Sequence, residues 1–99
     1  MEKRLGIIAV IVSDRSSVSR LNAILGEHAE LITARLGLPM RSRAISLISL
    51  VVEGDTDELG ALTGRIGRLP GIQVTSVLTK FKEASDGTQE QGGVGRDLR

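Results

Sequence analysis

The sequence predicts an α+β two-layer sandwich, an antiparallel sheet with two helices packed on one face. Three observations carry this expectation. Two strongly apolar, β-rich runs, Leu5–Val12 and Ala44–Val52, are separated by amphipathic and polar stretches. Apolar residues recur at helical spacing in two other segments. Both apolar runs are hydrophobic at odd and even positions alike, the pattern of strands buried on both sides.

The elements follow in order. Leu5 to Val12 is the first strand. Asp14-Arg15-Ser16-Ser17 comes next, a polar cluster with several candidate N-caps. Val18, Leu21, Ile24 and Leu25 then mark an amphipathic helix that ends near Glu27 or Ala29. Leu31 to Leu36 is a short strand. Gly37, Pro39 and Arg41-Ser42-Arg43 predict a break before the strand Ala44–Val52. The second helix covers Thr56 to Leu69, with Asp55 or Thr56 at its start. Asp57 and Glu58 lie in its first turn, where the helix dipole favours negative charge. Pro70-Gly71 turns the chain into a last strand, Ile72–Thr79.

The order β-α-β-β-α-β is the ferredoxin-like split arrangement. Right-handed crossovers place the first and third strands in the middle of its sheet. Two helices cover only one sheet face, so the apolar second face predicts a homodimer or homotetramer joined through the sheet. Residues 1–80 form the domain. Residues 81–99 are rich in glycine and polar types and read as a disordered tail.

The second helix carries an unusual feature. Leu59, Leu62, Ile66 and Leu69 form its apolar stripe, while Gly60, Gly64 and Gly67 form a second stripe that points elsewhere. Glycine costs a helix roughly 1 kcal/mol relative to alanine. Close packing along the flank toward the first helix is one explanation, and a partner surface is the other.

Composition excludes several functions. The 99 residues suit one domain, and a net charge of +1 argues against a general polyanion binder. The absence of cysteine removes disulfides, thiolate nucleophiles and cysteine-ligated metals. One histidine, His28, makes a transition-metal site improbable, so neither a metal nor a cofactor is expected. No run approaches the ~20 apolar residues of a membrane span. The first apolar run has no cleavage signature, so the cytoplasm is the expected location. Base stacking on the sheet would need aromatics on the central strands. The chain's one aromatic residue is Phe81. Neither GxGxxG nor a P-loop is present. No nucleophile stands with a base, and an acylphosphatase-like cradle would need glycine in the turn after strand one. An enzyme is not expected.

Two clusters remain as candidate ligand-binding sites. Asp14, Arg15, Ser16 and Ser17 join the first strand to the first helix, where exposed N–H groups and helix polarity favour anions. Their alternative role is helix capping. Arg35 and Arg41, with Arg43, flank Gly37-Leu38-Pro39 and suit a carboxylate or phosphate. Solvated loop charge is the alternative.

The stretches EKRLGIIAVIVSDRSSVSRLNAILGEHAELITARLGLP and ISLISLVVEGDTDELGALTGRIGRLPGIQVTSVLTK resemble the small ACT-type proteins named iron-only hydrogenase system regulators. The resemblance covers Glu2 to about Lys80. Its most specific pieces are Arg35-Leu36-Gly37-Leu38-Pro39, the helix from Asp57 to Gly67, and Gly71-Ile72-Gln73-Val74. It implies a stand-alone, oligomeric regulatory domain that binds a small effector near Asp14–Ser17 at a subunit interface. The glycine common in amino-acid-binding ACT turns is absent here, where Ser16 and Ser17 stand. The fold is also similar to the C-terminal domain of nickel-responsive repressors, whose histidine and cysteine ligands have no counterpart in this chain. No ribbon-helix-helix or helix-turn-helix segment is present, so direct nucleic-acid contact is not expected. A structural interaction module without a small ligand is the alternative function.

Overall fold

The computed structural model describes residues 3–82. Four strands, β1 (Arg4–Val12), β2 (Ile32–Met40), β3 (Ile45–Gly54) and β4 (Ile72–Lys82), form one sheet in the order β2-β3-β1-β4. All three neighbouring pairs are antiparallel. Two helices, α1 (Val18–Glu27) and α2 (Thr56–Gly67), complete the ferredoxin-like arrangement. The first and third strands are central, as the crossover rule predicts.

One core lies between the sheet and the helices. Ile8, Val10 and Val12 of β1 and Ile48, Leu50 and Val52 of β3 face it. Leu21, Ile24 and Leu25 of α1 and Leu59, Leu62 and Ile66 of α2 close it from above. These are the i, i+3, i+4 positions that the sequence marks as apolar. Asp55 is the N-cap of α2. Its Oδ1 accepts from the Glu58 N–H at 2.8 Å, and the Glu58 Oε1 accepts from the Asp55 N–H at 3.0 Å. This reciprocal pair starts the helix within one residue.

Four boundaries differ from expectation. A 3-10 turn, Arg15–Ser17, precedes α1. β2 runs through Gly37 and Pro39 and stops only at Met40, so the break is confined to the 3-10 turn Arg41–Arg43. Proline is tolerated there because β2 is an edge strand. α2 ends at Gly67, and Leu69 lies just beyond it while still packing in the core. β4 continues through Phe81 and Lys82. Residues 81 and 82, expected in the tail, thus belong to β4, and the rest of the expected tail, 83–99, lies outside the described residues.

β2 also contains a register shift between Ile32 and Ala34. Ile32 pairs with Val52, whereas Ala34 pairs with Val51. One extra residue reverses the alternation of the strand. Arg35 is thereby set opposite Leu50, on the helix side, and Leu36 and Leu38 move to the open face.

The glycine stripe of α2 has no neighbour among the described residues for most of its length. A Cβ at Gly60 or Gly64 would meet nothing within 4 Å. At Gly67 it would approach Val74 Cγ1 at 3.1 Å. Packing toward α1 thus does not account for Gly60 and Gly64.

Candidate functional site

The turn after β1 is held by the turn before β4. β1 and β4 pair with Val12 opposite Ile72, which brings Ser13 beside Gly71. The Ser13 N–H and hydroxyl both donate to the Gly71 carbonyl, at 2.8 and 3.0 Å. Ser17 is fully buried, and its hydroxyl donates to the Pro70 carbonyl at 2.6 Å. Gly71 has φ +67°, and a Cβ there would lie 2.3 Å from Asp14 Cβ. Only glycine suits that combination of backbone angle and crowding.

Asp14 caps the 3-10 turn. Its Oδ1 accepts from the Ser16 hydroxyl at 2.7 Å and from the Ser16 N–H at 2.9 Å. These bonds, with the nearby Arg20 charge, hold its carboxyl below the ordinary value of 3.8. Asp14, Ser16 and Ser17 are therefore committed to the turn itself, whereas the Arg15 side chain is exposed.

Arg15 and Arg41 come together at one end of the sheet. They line a cleft of about 480 Å³ between the turn after β1 and the connection from β2 to β3. Val12, Val18, Met40 and Ile45 supply apolar wall, and Ser13 and Ser46 supply hydroxyl groups. Ala44 also lines it and holds φ +56°, a left-handed conformation that is rare for a residue with a side chain. Arg35 does not join them. Its guanidinium donates to Asn22 Oδ1 at 2.9 Å, beside a smaller cleft that includes Leu25, Ala29 and Ile32. Ser13, Met40, Ile45 and Ser46 carried no distinguishing signal of their own. The predicted strand order was the available clue, because it sets the end of β1 beside the turns at both β3 and β4.

The sheet's second face forms the other candidate surface. Its cross-strand rows run Ala34–Val51–Ile7–Val77, Leu36–Ser49–Ala9–Thr75 and Leu38–Leu47–Ile11–Gln73. No charged side chain occupies these three rows. Leu36 is 69% exposed, Val77 61% and Ile7 48%.

His28 lies at the end of α1, half-buried, with Nε2 3.2 Å from an Arg65 guanidinium nitrogen. The same guanidinium pairs with Glu27, linking α1 to α2. Its hydrogen bond and charge keep the Glu27 carboxyl below the ordinary 4.5. Among the described residues no cluster of three or more histidine, cysteine, aspartate or glutamate side chains is placed to hold a metal ion. No described helix is long and apolar enough to cross a membrane.

Comparison with known proteins connects this geometry to a family. The uncharacterized protein TM1266 from Thermotoga maritima has a similar solved structure, with a TM-score of 0.75 and 37% identity over 79% of this chain and 99% of that one. The C-terminal domain of the MgtC protein from Mycobacterium tuberculosis shares the fold at 11% identity, with a TM-score of 0.62 over 83% of this chain and 94% of that one. A formyltetrahydrofolate deformylase from Pseudomonas putida KT2440 shares it at 13% identity, with a TM-score of 0.54 over 74% of this chain and 28% of that one. No curated protein matches significantly. The family model described as "TM1266-like: Iron-only hydrogenase system regulator, putative" matches residues 4–76. Family model and structural neighbour agree, and the chain belongs to the TM1266-like family of iron-only hydrogenase system regulators.

Proposed function

We propose that this protein is a non-enzymatic, ACT-like regulatory domain of the cytoplasm, linked to the iron-only hydrogenase system. It assembles with copies of itself through the open sheet face and responds to a small effector. The observation that carries the reading is that face: three uncharged rows across four strands, with Ile7, Leu36 and Val77 left in water by the single chain. Monomeric proteins rarely leave a broad apolar patch uncovered. A second copy offers the same uncharged surface and buries both. The arrangement of polar groups supports a non-enzymatic role. Ser13 and Ser17 spend their hydroxyls on backbone carbonyls, and His28 faces Arg65 rather than a hydroxyl group.

Sedimentation velocity on the full chain at micromolar concentration tests the assembly. A dimer or tetramer is expected, and a stable monomer overturns it. A thermal-shift screen of small metabolites tests the effector, since specific binding raises the melting temperature by mass action. An assembled protein that answers to no metabolite would instead be an interaction module without a ligand.

A further inference from the structure

We propose that the cleft between Arg15 and Arg41 binds a small carboxylate with a compact hydrocarbon body and no ammonium group. This deepens the effector reading above and rests on it. The cleft's volume of about 480 Å³ falls within the range of small-molecule sites. Its two cations come from separate turns, Arg15 after β1 and Arg41 after β2. Neither guanidinium has a hydrogen-bond or ion-pair partner among the described residues. Two unpaired guanidinium groups facing one space suit an anion, and the planar fork of arginine matches a carboxylate in particular.

The remaining wall decides the rest of the ligand. Val12, Val18, Met40 and Ile45 offer hydrocarbon contact, which a bare inorganic anion would leave unused. Ser13 and Ser46 add hydroxyl groups at the same end. No carboxylate lines the cleft. Asp14 stands between Ser13 and Arg15 in sequence, but it is absent from the cleft lining, and its Oδ1 is turned to Ser16. An ammonium group entering here would find two positive charges and no counter-charge among the lining residues. The site therefore separates a carboxylic acid from the amino acid of the same skeleton.

The test compares 4-methylpentanoate with leucine, which adds only the ammonium group, and with inorganic phosphate. Binding to the full chain is measured by calorimetry and thermal shift, with sedimentation of the same samples. The expected result is saturable binding of 4-methylpentanoate at least tenfold tighter than leucine or phosphate. Arg15→Gln and Arg41→Gln should each weaken it by about tenfold or more, the loss of one charged hydrogen bond. Val18→Asp should abolish it through like charge while the fold persists, since Val18 is exposed at the first position of α1. Equal or tighter binding of leucine overturns the inference but leaves a ligand-responsive regulator. Tighter binding of phosphate likewise overturns it. No binding of 4-methylpentanoate by an assembled protein overturns the inference alone, whereas no binding by a monomer removes the functional reading with it.

Discussion

The Ser17 hydroxyl donates to the Pro70 carbonyl at 2.6 Å, across 53 residues of sequence. This contact ties the start of α1 to the turn that launches β4. It also explains why the N-cap serine of α1 makes no side-chain cap of its own helix. The hydroxyl group is spent on tertiary structure.

Ser17→Ala is expected to destabilise the fold by about 0.5–1.5 kcal/mol, because it removes the part-buried hydrogen bond made by a fully buried side chain. Urea denaturation measures this as a lower midpoint with an unchanged slope. A change within experimental error would mean that the contact contributes nothing net.

Gly71→Ala is expected to cost more than the ~1–2 kcal/mol penalty of a left-handed residue. The added Cβ would also collide with Asp14, so the turn after β1 has to shift. Loss of amide protection at Ser13 and Ser17 in hydrogen exchange would report that shift. A fully stable variant with both amides still protected would contradict it.

The open face predicts a separation of folding from assembly. Ile7 is opposite both Val51 and Val77 and is half exposed, so Ile7→Lys leaves the core untouched. The variant should keep its circular dichroism spectrum and sediment as a monomer. If it assembles as the parent does, the interface lies elsewhere.

Gly60 and Gly64 lie on the solvent side of α2 with no atom waiting for a Cβ. Alanine at either position should therefore stabilise the chain by about 0.5–1 kcal/mol. Thermal denaturation of the single and double variants checks this. A loss of stability in the assembled protein, with the monomeric Ile7→Lys background stabilised, would mean that another chain packs there.

Asp14 and Glu27 both have folded-state carboxyl values depressed below 3.8 and 4.5. Their contribution is fully present above the unfolded values and is lost as pH falls through the folded ones. The unfolded chain binds more protons in that window, so stability rises with pH there. Asp14→Asn with Glu27→Gln should flatten the dependence of the urea midpoint below about pH 5. An unchanged acid slope would assign it to other carboxylates.

Much of the architecture was legible in one dimension because it follows from local periodicity. The two-sided apolar runs at Leu5–Val12 and Ala44–Val52 identified the central strands, and Leu59, Leu62 and Ile66 identified the buried face of α2. The break at Gly37–Pro39 was misplaced because proline punctuates a chain only where its missing N–H is needed, and an edge strand does not need it. The candidate site was legible in part. The turn holding Arg15 and the connection holding Arg41 were both visible, whereas their pairing and the inward role of Ser17 were not.

Sequence by itself determined the element order, the central strands, the start of α2 at Asp55 or Thr56 and the absence of cysteine chemistry. Each depends on residues close together in the chain or on composition. Tertiary structure alone decided where Arg35 went. The register shift between Ile32 and Ala34 reverses the pleat of β2, sending Arg35 to Asn22 on the helix side and Leu36 and Leu38 to the open face. A period-two reading assigns all three to the opposite sides, because one extra residue exchanges the two faces of every residue after it. The unbroken run of β2 to Met40 separates Arg35 from Arg41 along the strand, while the shift extends the apolar rows across a fourth strand. The fourth-strand share of the open face thus depends on a single inserted residue that local periodicity does not reveal.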